Sequence, residues 1–307
     1  MSSHKLGSSK NGNVKAPSKS REDIKIALLY ALTLEANAVR ELFDEYCRID
    51  GSMWSRMESP RDTNAYSFGV IGGHPAVIVH MPGMGKGYGA MVATHPRNSL
   101  PGLGLALVVR ICGGVPFYEK EMWYPEKFET RESSESVIGR PPPDLRSLIN
   151  KLKGRRDRSW MHDMTGRRLQ TLRTYWYKHN DTSGCDTCCM SDGGICDAAL
   201  SSTSSELHCD KGKLRRVSVC VALSSSSSSS SVAPTVMKSG EDRDKIAREK
   251  GVIALEMEGA GVWNMLPCLV IKAVCDYADS YKNKKWQNYA AATAAAYTKA
   301  FLEQWHM

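Results

Sequence analysis

Four carboxylates stand where this sequence could do chemistry, and two of them share one short run, I-A-L-E-M-E-G-A-G-V-W, from Ile253 to Trp263. The run otherwise reads as buried, and burying a charge costs free energy unless a partner compensates it. Glu256 and Glu258 therefore stand either at a surface edge or against a ligand. Two residues apart, they share one face of a strand, whereas in a helix they diverge by about 200°. A helix starting between them would aim only one into a pocket. Asp276 ends the apolar run L-V-I-K-A-V-C. A buried strand that delivers an acid to its end is a frequent catalytic placement, although a loop or a helix cap gives the same pattern. Asp279 and Ser280 are the more natural caps for a helix downstream, which leaves Asp276 for chemistry. Glu35 lies just inside a helical pattern that comes directly after a strand. The helix dipole favours an acid there without any function. The functional alternative is a base at the carboxyl end of a strand, where open α/β sheets gather ligands.

Backbone rather than side chains could act in G-M-G-K, Gly83 to Lys86, a turn able to present N–H groups to an anion. It is not a Walker A loop, because no glycine stands five residues before Gly85 and no Ser or Thr follows Lys86. Four of the ten cysteines fall in C-D-T-C-C-M-S-D-G-G-I-C, with His208 and Cys209 downstream. Cys185-x-x-Cys188 is half of a zinc knuckle, but the second half is no clean C-x-x-C or H-x-x-x-H, so no metal is assigned.

The elements that must position these groups alternate. The run from Ile24 is of strand length, and T-L-E-A-N-A-V-R-E-L-F-D-E-Y continues with helical spacing at Leu34, Ala38 and Leu42. Two strands, Ala65 to Gly69 and Pro75 to His80, flank a Gly72–Gly73 turn, and the glycine-rich turn then leads into a helix. Leu105 to Cys112 is a further strand, and Pro141 to Lys153 a helix. Arg155 to Lys213 is polar and cysteine-rich, and Ser224 to Ser231 is a serine tract that reads as a flexible loop. Regularity returns at Asp242 with a short helix, a strand at Val252 to Leu255, the strand ending at Asp276, and an alanine-rich helix to Trp305. Strands alternating with helices at both ends predict an α/β fold, with a disordered tail over 1–22, one domain over 23–307 and an irregular insertion at about 154–234.

With 41 Lys+Arg against 33 Asp+Glu, the net charge is +8, concentrated in the tail and between Lys151 and Arg173. No aromatic-rich RNA-binding pattern or DNA-reading helix accompanies it, so we read a solvated basic face, not a nucleic-acid partner. The longest apolar runs, such as Leu103 to Val109, are too short to span a bilayer, and the first residues have no apolar core like that of a secretory signal. A cytoplasmic protein with reduced thiols is the expectation.

Together the segments A-L-T-L-E-A, M-P-G-M-G-K, I-C-G-G-V-P, T-V-M-K-S-G-E-D-R-D and A-L-E-M-E-G-A-G-V-W followed by V-C-D-Y-A-D-S-Y-K-N-K-K-W resemble the nucleoside phosphorylase and nucleosidase superfamily, in particular its fungal domain. The resemblance implies a three-layer α/β fold with a mixed central sheet flanked by helices. It implies cleavage of the N-glycosidic bond of a purine nucleoside, without a cofactor. Glu258, with Met257 beside it, would hold the ribose hydroxyls; Asp276 would serve the departing purine as general acid; Glu35 would activate water, with phosphate as the alternative nucleophile. Gly83, Gly85 and Lys86, with Cys112, Gly113 and Gly114, would line the site near the nucleophile. Self-association into a homo-oligomer is compatible with the resemblance.

Three departures make the pattern partly degenerate. Arg110 precedes I-C-G-G where the family carries a small residue. Glu119 to Ser136 lacks the glycine and apolar run that usually come after G-G-V-P, and a serine tract with V-A-P replaces the usual A-S-G-D before T-V-M-K-S. The alternative to an enzyme is thus a catalytically weak nucleoside-sensing module of the fungal receptor-like type. The absence of an ATPase or repeat pattern after the last helix counts mildly against it.

Overall fold

The computed structural model describes residues 21–47, 62, 64–115, 143–178, 230–232, 237–250, 254–256, 261–262, 265–266, 268–280, 284 and 286–305. The apolar runs that read as strands are the strands at its centre. β1 (Ile26–Tyr30), β4 (His74–His80), β5 (Leu105–Gly114) and β8 (Cys268–Asp276) lie parallel, in the order β4-β1-β5-β8. Buried on both faces, they carry continuous Val, Ile, Leu and Ala instead of alternation. β3 (Ala65–Ile71) pairs antiparallel with β4 and β2 (Glu45–Cys47) antiparallel with β3, while β7 (Ala254–Glu256) joins the end of β5 antiparallel and β6 (Ser230–Val232) runs parallel to β7. The eight described strands form one mixed sheet. The β3–β4 hairpin turns on Gly72 and Gly73 at φ 59° and 81°, a left-handed pair that glycine adopts at no steric cost.

Helices cover both faces, completing three layers. On one side α1 (Thr33–Arg40), α3 (Pro143–Leu152), α4 (Arg155–Lys178) and α6 (Gln287–Leu302) pack against Leu107, Val109, Leu269 and Ile271. α6 is alanine-rich because it is enclosed almost all round: Ala292, Ala295 and Ala296 are fully buried, and small side chains let the backbones approach. On the other side α2 (Lys86–Ser99) sends Val92 and Ala93 onto Val77, Val79, Val108 and Val270, with Val262 and Leu266 beside them. A third, smaller cluster sets Ala247 of α5 (Gly240–Lys250) against Leu255 and Ala278. No helix of the described residues is long and apolar enough to cross a membrane.

Three local expectations need correction. The first helix ends at Arg40 instead of running on to Tyr46, because Glu45–Cys47 pairs with the hairpin as β2. The start of the expected irregular insertion is the 24-residue helix α4. It is held through Met161, Thr165 and Leu172, a single buried stripe at helical spacing on an otherwise charged surface. The end of the serine tract is not loop, since Ser230 and Ser231 pair with β7. The cysteine cluster, the tail over 1–20 and Glu119 to Ser136 lie outside the described residues.

Candidate active site

β5 outruns its neighbour on one side. β1 pairs with it only through Leu29 opposite Val108, while β5 continues to Gly114. The space beyond the end of β1 is filled by Glu35, the third residue of α1. Its Oε2 accepts the Leu32 N–H at 3.1 Å, the backward half of a capping box, and its Oε1 accepts the Ile111 N–H of β5 at 3.0 Å. Arg110 Nε stands 3.4 Å from Oε1 and 3.3 Å from Oε2. Glu35 is 2% exposed and Arg110 3%, so this is a buried ion pair whose desolvation is offset by its own attraction and by two backbone donors. The helix-start role and the placement at a strand end therefore hold for the same residue.

Asp276 closes β8 on the other flank of β5. Its Oδ1 accepts the Ala278 N–H at 2.8 Å, and the Cys275 thiol donates to Oδ2 at 3.4 Å. The turn it makes is forced: Ala278 takes φ 53°, a left-handed conformation that costs an L-residue about 1 kcal/mol. α5 holds it there. The buried Arg243 donates from Nη1 to the Tyr277 carbonyl at 2.6 Å and lies 3.8 Å from Asp279 Oδ2, with Asp244 as its second carboxylate at 2.7 Å.

The glycines of I-C-G-G-V-P explain the close approach. A Cβ on Gly113 would lie 2.6 Å from the Ala278 Cβ and 3.1 Å from Asp276 Oδ1, and one on Gly114 would lie 2.7 Å from Val274 Cγ1. No side chain fits beside the acid. Cys112, buried between them and Ile111, donates its thiol to the Ala273 carbonyl at 3.7 Å. The end of β5 thus has Glu35 anchored at Ile111 and Asp276 bordering Gly113, anchor points about 7 Å apart at the usual strand rise.

The Gly83 to Lys86 turn comes after β4 at the same edge of the sheet, tied to the end of β1 by the Met81 N–H donating to the Tyr30 carbonyl. Gly85 has φ 114°, which reserves it for glycine, and Lys86 opens α2. Met257 and Glu258 lie outside the described residues, as β7 ends at Glu256.

Three residues of this edge were not singled out as site residues from the sequence. Arg110 was noted only as a departure, although a lone cation inside V-V-R-I-C signals a buried counter-charge. Tyr30 is 1% exposed, and its hydroxyl finds no hydrogen-bond partner among the described residues. Burial, with the charge of Glu35 adding to it, pushes its phenol well above the usual range. His80 ends β4 with Nε2 3.0 Å from Ser67 Oγ, and burial, reinforced by Arg40, holds its imidazole below the usual value.

No family model matches the chain. A nucleotide-binding leucine-rich repeat (NLR)-like protein of Hyaloscypha variabilis is 27% identical over 323 residues, covering 97% of this chain and 31% of that protein. The chain thus spans about a third of the length of this relative. Among solved structures, futalosine hydrolase of Helicobacter pylori superposes with a TM-score of 0.50 at 16% identity, over 93% of this chain and all of that one. A mutant MTAN of Helicobacter pylori with 5′-methylthioadenosine in its active site gives 0.49 at 15% identity, over 92% and 99%. The first likeness carries the fold alone: a mixed α/β sheet flanked by helices, as in that hydrolase.

Proposed function

We propose that the chain binds a purine nucleoside at the carboxyl edge of its sheet and cleaves the N-glycosidic bond. The observation that carries this reading is the delivery of Glu35 and Asp276 to the two flanks of one strand end, at Ile111 and Gly113. Asp276 serves the departing base as general acid, and Glu35 activates the attacking water. Glu258, with Met257, holds the ribose diol, a contact in which a carboxylate accepts two charge-assisted hydrogen bonds. The Gly83 to Lys86 turn and Cys112 to Gly114 line the approach of the nucleophile. A sugar-cation-like transition state is stabilised by negative charge on either side of the ring.

Incubation with methylthioadenosine, adenosine and inosine tests this, with and without phosphate. Release of free base without phosphate is the expected result, and Asp276→Asn lowers its rate by roughly 100-fold, the usual contribution of a general acid. Absence of free base under either condition overturns the enzyme reading.

A second reading, a nucleoside-binding module of receptor type with little or no turnover, is favoured by one specific contact, the Arg110 guanidinium on Glu35. The NLR-like relative supports it. Calorimetric titration that shows nucleoside binding without base release selects this reading.

A further inference from the structure

We infer that Arg110 is a positioning residue that restrains Glu35, and that removing its guanidinium speeds glycosidic cleavage. The inference rests on the reading that Glu35 faces the nucleoside. A carboxylate offers about four lone-pair directions. Leu32 N–H takes one on Oε2, Ile111 N–H takes one on Oε1, and Arg110 Nε lies within 3.4 Å of both oxygens. Little acceptor capacity remains for an incoming water.

Arg110 lies deep in the sheet. Its register partner on β8 is Lys272, 1% exposed, so the two long side chains stand on one face of adjacent buried strands. The guanidinium itself is in contact with the Glu35 carboxylate. The same contact sets a full positive charge against the carboxylate whose field should stabilise the sugar cation, which opposes the electrostatic half of catalysis as well as the proton transfer.

In the step affected, the water oxygen bonds to the anomeric carbon as the C1′–N bond breaks. The bonding pair leaves with the base, the water proton passes to Glu35, and the base nitrogen receives its proton from Asp276. Arg110 touches none of the reacting atoms. It acts by setting what Glu35 is free to accept.

Single-turnover base release from methylthioadenosine, with calorimetric affinity measured in parallel, tests the inference. Arg110→Ala is expected to raise the rate at least about 10-fold, the lower end of what a freed general base contributes. Glu35→Gln is then expected to cost at least about 10-fold more in the Arg110→Ala background than in the parent chain, a coupling that a merely structural arginine would not produce. Where Arg110→Ala fails to unfold cooperatively, Arg110→Lys replaces it: the ammonium keeps the buried charge but loses the fork, and a smaller rise is expected. A folded variant that binds methylthioadenosine with the parent's affinity and cleaves it no faster overturns the inference and leaves the nucleoside reading standing. Failure of every variant to bind or cleave nucleoside overturns the reading itself, and the inference with it.

Discussion

His80 shows at the level of one side chain how this edge of the sheet handles charge. It packs at the end of β4 against Ser67, and burial, then Arg40, holds its imidazole below the ordinary 6.5. The unfolded chain therefore takes up a proton first on acidification. The stabilisation is fully present above about pH 6.5 and is lost as pH falls through the lower folded value. Thermal midpoints measured from about pH 7.5 to about pH 5 should decline, and His80→Gln should flatten that decline. An equal slope in both proteins would exclude His80 as its source. Asp44 acts in a separate window. Burial pushes its carboxyl up, but the Lys299 hydrogen bond and the backbone donors of Gly73 and Gly72 outweigh it, and its loss begins only below 3.8. At this scale the sequence was readable for position alone: Asp276 ends the apolar strand β8, and Glu35 stands in the first turn of the helix that comes after β1. It was unreadable where the partner came from far along the chain: Arg110 meets Glu35 across 75 positions, and no spacing rule spans that distance.

Among the elements, α5 fastens the turn beside Asp276. Its polar sequence G-E-D-R-D-K-I-A-R-E-K buries few side chains, yet Arg243 at 6% exposure fastens the Tyr277 carbonyl and Asp279 and so holds the turn in which Ala278 is left-handed. Arg243→Ala removes a charge-assisted hydrogen bond and leaves the carbonyl unsatisfied, a loss of about 1–3 kcal/mol. The urea midpoint should fall accordingly, and amide exchange should quicken selectively over Asp276 to Ser280. A variant with unchanged exchange there would show that the turn holds itself. The same contrast between local and distant causes separates the elements that could be read from those that could not. The β3–β4 hairpin was legible because G-G fixes its turn locally. β2 was not, because three residues become a strand only when β3 offers its edge, and α4 was hidden by charge that outnumbers its buried stripe.

For the molecule as a whole, the α/β class was legible because strands alternate with helices at both ends of the chain, and the four parallel strands at the centre of the sheet are apolar on both faces. That double burial also makes the two helical layers dependent on each other. Leu107 and Val108 are adjacent on β5 and both fully buried, but Leu107 faces α6 and its neighbours while Val108 faces the α2 side. A cavity on either face weakens the strand that both layers share. Leu107→Ala is expected to cost about 2–5 kcal/mol, and Val108→Ala less, because fewer methyl groups are removed. The test is whether both variants lower one common transition, monitored by far-ultraviolet circular dichroism for the helices and near-ultraviolet dichroism for tertiary packing. Coincident curves for both probes in both variants are expected of a core that folds as one unit. If Val108→Ala instead splits the transition while Leu107→Ala does not, the layer carrying α2 unfolds by itself. The turn from Gly83 to Lys86 that opens that helix would then be free to move relative to Glu35 and Asp276.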